Sequence, residues 1–110
     1  MTSRPIVPRQ RALQDVDDAI GYYVAEAGAD VALDFIDMLE NAYRAIADRP
    51  AIGSPRFAHE LDLPGLRTWR LHRYPYLIFY MDSGNRIDIW RGLHAHRDIP
   101  TRMQEPDLSS

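Results

Sequence analysis

The order of apolar patterns along this 110-residue chain predicts an α+β domain of two layers. Three observations carry that expectation. Two stretches of helical period lie back to back in the first half, separated by a two-residue break. Three strand-like runs follow in the second half, the last two joined by Asp82-Ser83-Gly84-Asn85. A short Pro-flanked extended segment, Arg4-Pro5-Ile6-Val7-Pro8, precedes all of them. The expected order is strand, helix, helix, loop, then a three-stranded antiparallel meander. The first strand completes a four-stranded sheet packed on a helical hairpin. Residues 1–98 form the single domain, and 99–110 are a frayed tail with nothing to pack.

The two prolines make the first segment an edge strand at best, because proline cannot donate to a sheet ladder. Leu13, Val16, Ile20, Tyr23, Val24 and Ala27 then recur at helical spacing, with Asp15, Asp17, Asp18 and Glu26 largely off that face. Gly28 is read as a left-handed stop and Asp30 as the N-cap of the next helix. The second row is Val31, Phe35, Ile36, Leu39, Tyr43 and Ile46, and Pro50 ends it. Residues 51–64 lack a clean period and read as a loop with a short extended piece around 58–61.

In the first strand of the meander, Arg67, Trp69 and Leu71 fall on one face and Thr68, Arg70 and His72 on the other. Pro75 belongs to the connection or to the first edge of a strand. Tyr76 to Met81 is apolar at nearly every position, as a central strand is. Gly84 and Asn85 suit the positive φ of a hairpin turn. In the last strand Ile87, Ile89 and Leu93 share a face that Arg91 interrupts. Trp90 lies on the face opposite the helices. The expected core is Leu13, Val16, Ile20, Val24, Phe35, Ile36, Leu39, Ile46, Trp69, Leu71, Ile78, Tyr80, Ile87 and Ile89.

Composition narrows the function. Cysteine is absent, which excludes disulfides and thiolate metal sites. No apolar run approaches the ~20 residues of a membrane span, and no secretory leader is visible, so a soluble cytoplasmic protein is expected. The net charge of −3 argues against general nucleic-acid affinity. The charge is lopsided. Residues 13–48 hold nine acids and one base, whereas residues 63–104 hold seven arginines and three aspartates. All thirteen basic residues are arginine.

Several short pieces together resemble the ParE branch of the RelE/ParE superfamily, the toxins of type II toxin–antitoxin modules. They are Leu13 to Tyr23 in the first helix, Pro50-Ala51-Ile52-Gly53, Gly65-Leu66-Arg67, Tyr76-Leu77-Ile78-Phe79-Tyr80 and His94-Ala95-His96-Arg97-Asp98. The resemblance covers about residues 5–98. It implies a toxin neutralised by a ParD-like antitoxin in a hetero-oligomer, with DNA gyrase as target and growth arrest as outcome. RelE-like relatives instead cut mRNA on the ribosome, which is the alternative reading.

The residues weigh the two. RNA cleavage needs cations and an acid–base pair that titrates near neutral pH. With no lysine and no tyrosine after Tyr80, the lysine–tyrosine pattern of RelE-like enzymes does not carry over. A glutamate–arginine–histidine set would draw on Glu60, Arg67, Arg70, His94 and His96. Arginine stays protonated and supplies no base at neutral pH. The expected activity is therefore non-enzymatic, with Trp90, Arg91, His94, His96 and Arg97 contacting the target. Tyr23, Phe35, Leu39, Arg67, Arg70 and Arg73 are expected to contact the antitoxin. His94 and His96, two apart, point the same way and would make a metal pair, but no carboxylate cluster accompanies them, so no metal and no cofactor are expected. Arginine interleaved with aromatic residues around Trp69, Tyr74 and Trp90 would also suit stacking on nucleic acid. The negative net charge opposes that, and no sequence-specific DNA binding by this chain is expected. A purely structural interaction domain is the third class; it would not arrest growth.

Overall fold

The computed structural model describes residues 3–96 and 99–105. It contains β1 (Ile6–Pro8), α1 (Gln10–Ala27), α2 (Ala29–Asp48), a 3-10 turn (Pro50–Ile52), α3 (Arg56–Glu60), β2 (Leu66–Arg70), β3 (Tyr76–Asp82), β4 (Ile87–His94) and α4 (Ile99–Met103). The sheet order is β1-β4-β3-β2. The β2–β3 and β3–β4 pairs are antiparallel, and β1 runs parallel to β4 at its edge. The expected four-stranded sheet on a helical hairpin is present.

The hairpin is tighter than the sequence suggests. A single residue, Gly28, separates α1 from α2. Its φ of 95° and ψ of 168° lie in a region open essentially to glycine. Its N–H bonds to the carbonyls of Tyr23 and Val24, and its own carbonyl accepts from Ala32. Asp30 therefore sits in the first turn of α2, beside the positive helix end, and not at the cap.

The main core lies between the hairpin and the sheet, with Tyr23, Phe35, Leu39, Ile46, Leu71, Tyr76, Ile78, Tyr80, Ile87 and Ile89 buried. Two expected members are missing from it: Leu13 and Val24 are 45% and 49% exposed. Ala12 and Ala19 occupy the buried line of α1 instead. Their small side chains let the helix sit close to its neighbours, and the larger Leu13 and Val24 turn to its flank.

Residues 51–64 are more ordered than a loop. Tyr80 donates its hydroxyl to Pro50 O (2.7 Å) and accepts from Gly53 N–H (2.9 Å). A Cβ at Gly53 would collide with the Tyr80 ring, so glycine is required there. The expected extended piece around 58–61 is largely helical, within and just after α3. Residues 99–103 also form a helix, and Ile99 is buried. Phe57 and Leu61 of the α3 region and Met103 of α4 pack with Leu66, Phe79, Leu93 and Ile99 on the sheet face away from the hairpin. The expected frayed tail is thus replaced over 99–105 by a packed segment. Residues 106–110 lie outside the described residues.

A bulge in β4 links the two cores. Phe79 pairs with Arg91 and Tyr80 with Ile89, leaving Trp90 unmatched. Ile87 and Ile89 face the hairpin, but beyond the bulge Leu93 joins the opposite cluster. The single apolar face expected for Ile87, Ile89 and Leu93 is therefore broken by one inserted residue.

Candidate functional site

The edge of β4 beyond the short β1 is closed by one acid. Asp15, on α1, accepts from Arg91 Nε (2.7 Å) and Nη2 (2.9 Å) and from the Gly92 N–H (3.0 Å). Both charged side chains are nearly buried, at 6% and 10% exposure. Arg91 also donates to the Arg102 carbonyl and to Glu105 (3.4 Å). One guanidinium thereby ties α1, β4 and the segment after α4 together. Burial alone would raise the Glu105 carboxyl, but its bond to Arg91 and the charges of Arg91, Arg11 and Arg102 together hold it below the usual range. Gly92 is needed because a Cβ there would run into the Tyr76 hydroxyl.

Beside this tie lies a cleft of about 360 Å³, whose walls include Asp15, Asp18, Tyr22, His94, His96 and Arg102. Acid, imidazole, phenol and guanidinium meet there at an open surface. His94 packs against the rings of Tyr22 (5.6 Å), Tyr76 (5.8 Å) and Tyr23 (6.0 Å). These join Phe35 and Tyr74 in an aromatic group under the end of the hairpin. Burial pushes the Tyr76 hydroxyl well above its ordinary range. Burial, and then its hydrogen bond to Asp34 (2.6 Å), push Tyr74 to about 12.

The expected site residues separate into groups. His94 and His96 do line one cleft. Arg91 is not a surface contact; its donors are used inside the chain. Trp90 packs against the cluster on the sheet face away from the hairpin, with the Arg9 guanidinium 4.1 Å above its ring. Arg97 lies outside the described residues. Tyr23, Phe35 and Leu39 are core residues of the chain itself, buried by the hairpin packing on the sheet. They offer no surface to an antitoxin. Arg67 donates to the carbonyls of Gly53 (2.7 Å) and Ala51 (3.3 Å), which fixes the turn after α2. Arg73 pairs with Asp34 at 3.3 Å. Arg70 and Glu60 are exposed.

The Glu60, Arg67, Arg70, His94 and His96 set is not gathered into one site. Arg67 pairs across β2–β3 with Tyr80, on the hairpin face, whereas Arg70 pairs with Leu77, on the other. Glu60 ends α3, which packs on that second face. His94 is on β4, two strands from β2, a separation of ~9–10 Å at the backbone. Sequence reasoning missed Asp15, Asp18 and Tyr22. The signal for them was present: Asp15, Asp18 and Tyr22 recur at i, i+3 and i+7, a stripe along one flank of α1.

A four-stranded sheet with a parallel edge strand, a helical hairpin on one face and a polar cleft at the β4 edge define a small α+β scaffold with polar chemistry gathered at one strand end. The profile of the family described as "ParE toxin of type II toxin-antitoxin system, parDE" matches residues 6–99. The chain belongs to that family. Among solved structures, it is similar to a chain of the chromosomal ParDE TA system from P. aeruginosa. The TM-score is 0.70 at 22% identity, covering 84% of this chain and 96% of that one. No curated protein sequence matches it. Among the described residues no helix is long and apolar enough to cross a membrane.

Proposed function

We propose that this toxin acts by binding and not by cutting: it engages DNA gyrase, traps the cleaved-DNA state, and is neutralised by a ParD-like antitoxin. The observation that supports binding over RNA cleavage is the dispersal of the glutamate–arginine–histidine set. Glu60, Arg67, Arg70 and His94 are spread over α3, β2 and β4, with Arg67 and Arg70 on opposite sheet faces, and Arg67 is already engaged by two carbonyls. A scissile phosphate needs charge stabilisation and proton transfer within hydrogen-bond reach of one another.

The target contact in this reading is the β4 end, with His94 and His96 at the cleft mouth and Tyr22 and Asp18 beside them. The antitoxin contact is the flank of the hairpin. Leu13 and Val24, three turns apart, form one exposed apolar stripe on α1, and Leu33 is exposed on α2. An amphipathic antitoxin helix, disordered alone, would fold onto that stripe.

Purified protein assayed against gyrase and against ribosome-programmed mRNA separates the readings. The expected result is loss of supercoiling with accumulation of cleaved DNA, and intact mRNA. Codon-position cuts that vanish in His94→Ala or His96→Ala, with gyrase untouched, would reverse it.

A further inference from the structure

We infer that the cleft between α3, α4 and the β2 edge binds a small amphipathic carboxylate, an apolar ring system carrying one anionic group. This cleft is separate from the one at the β4 end, opens to solvent and has a volume of about 460 Å³. That is within the ~300–1,000 Å³ of sites that bury small ligands. Phe57, Leu77 and Ile99 supply an apolar lining, all three belonging to the cluster on the sheet face away from the hairpin. Arg56 and Arg70 flank it.

The charge pattern selects an anion. Arg4, Arg11, Arg73, Arg86, Arg91 and Arg102 each sit against a carboxylate. Arg67 is held by backbone carbonyls. Among the described residues no carboxylate is placed against Arg56 or Arg70, nor against Arg9, Arg44 or Arg49, and of these five only Arg56 and Arg70 line this cleft. The Arg56 guanidinium instead lies 4.9 Å from the centre of the Phe57 ring, at the junction of charge and apolar lining. Two unneutralised cations beside a low-dielectric concavity focus a positive field there, although the chain as a whole is negative. Thr68 adds a polar feature to the wall. It is 7% exposed, and its hydroxyl has no hydrogen-bond partner. Ser54 bridges Thr68 through both backbone groups, and β2 continues past that bridge to Arg70. Apolar lining, flanking guanidiniums and limited volume together suit a flat ring bearing a carboxylate better than a polyanion, which would need cations along its length.

The test is a ¹H–¹⁵N NMR titration of the full chain with indole-3-acetate, compared with its neutral analogue indole-3-acetamide. Indole-3-acetate should give saturable shifts confined to amides around Phe57, Thr68 and Arg70. The amide should bind roughly five- to tenfold more weakly, the scale expected for two solvent-screened ion pairs. An Arg56→Gln/Arg70→Gln variant should lose that preference; both side chains are exposed, so its spectrum elsewhere should overlay the parent's. No saturable shift, equal binding of acid and amide, an unchanged preference in the double variant, or shifts clustered at Tyr22 and His94 would each overturn the assignment.

Discussion

Asp15 shows how much one side chain decides. From the sequence it is one of four acids on the polar side of a helix. In the structure its two oxygens hold a guanidinium and a strand-edge N–H, and through Arg91 they reach the C-terminal segment. Asp15→Ala would leave a buried cation without its main partner and should cost about 3–5 kcal/mol. Chemical denaturation checks the magnitude. Hydrogen exchange should show the Gly92 amide losing protection more than the amides inside the sheet do, since its acceptor on α1 is removed. Tyrosines set the alkaline limit. Burial, with Asp15 nearby, raises Tyr43 to about 12, and burial with the Asp34 bond raises Tyr74 to about 12. Both values exceed the ordinary 10. Between pH 10 and 12 the unfolded chain therefore releases these protons while the folded chain keeps them. Stability from these groups is complete below pH 10 and falls as pH rises to about 12. A denaturation series from pH 8 to 12 should show a decline that begins near 10. A flat profile would contradict the burial of both hydroxyls.

At the level of elements, the orientation of α1 matters most. Its buried line runs through Ala12, Val16, Ala19 and Tyr23, roughly 60° around the helix from the centre of the apolar row that the sequence draws. Ala19→Leu should therefore be costly, about 1–3 kcal/mol, because it overfills a close contact. Leu13→Ser and Val24→Ser should change stability by no more than about 0.5 kcal/mol, since both side chains already meet solvent. The same two changes should weaken capture by the antitoxin, measured by calorimetry with the product of the neighbouring open reading frame. Leu39 of α2 behaves in the opposite way. It is buried in the main core, and Leu39→Ala should cost about 2–5 kcal/mol.

The whole molecule is a sheet covered on both sides, thickly by the hairpin and thinly by α3 and α4. The thin side is the more fragile. Ile99→Ala should destabilise by about 2–5 kcal/mol and raise the binding of a hydrophobic dye, because Leu66, Phe79 and Leu93 lose part of their cover. An unaltered dye signal and midpoint would show that α4 contributes nothing to the second cluster.

Local pattern alone determined the element order, the hairpin, the central position of β3 and most of the main core. Each of these follows from periodicity and from proline and glycine punctuation, which act over a few residues. Glycine at 53, glycine at 92 and the short break at Gly28 were likewise visible as residues, but not their reasons. Only the tertiary structure decided which flank of α1 is buried, because alanine carries too little apolar weight to mark a core line until a neighbouring element packs on it. It also decided the fate of Arg91. A bulge at Trp90 and a short β1 leave the β4 edge open beside α1, where an acid 76 positions away in sequence meets the guanidinium. That pairing depends on register and strand length at once, and neither is encoded near either residue. The second cluster arose in the same way. Phe57, Leu61, Ile99 and Met103 are too sparse to draw a helix on their own, and they acquire a core only when the far face of the sheet supplies the rest of it.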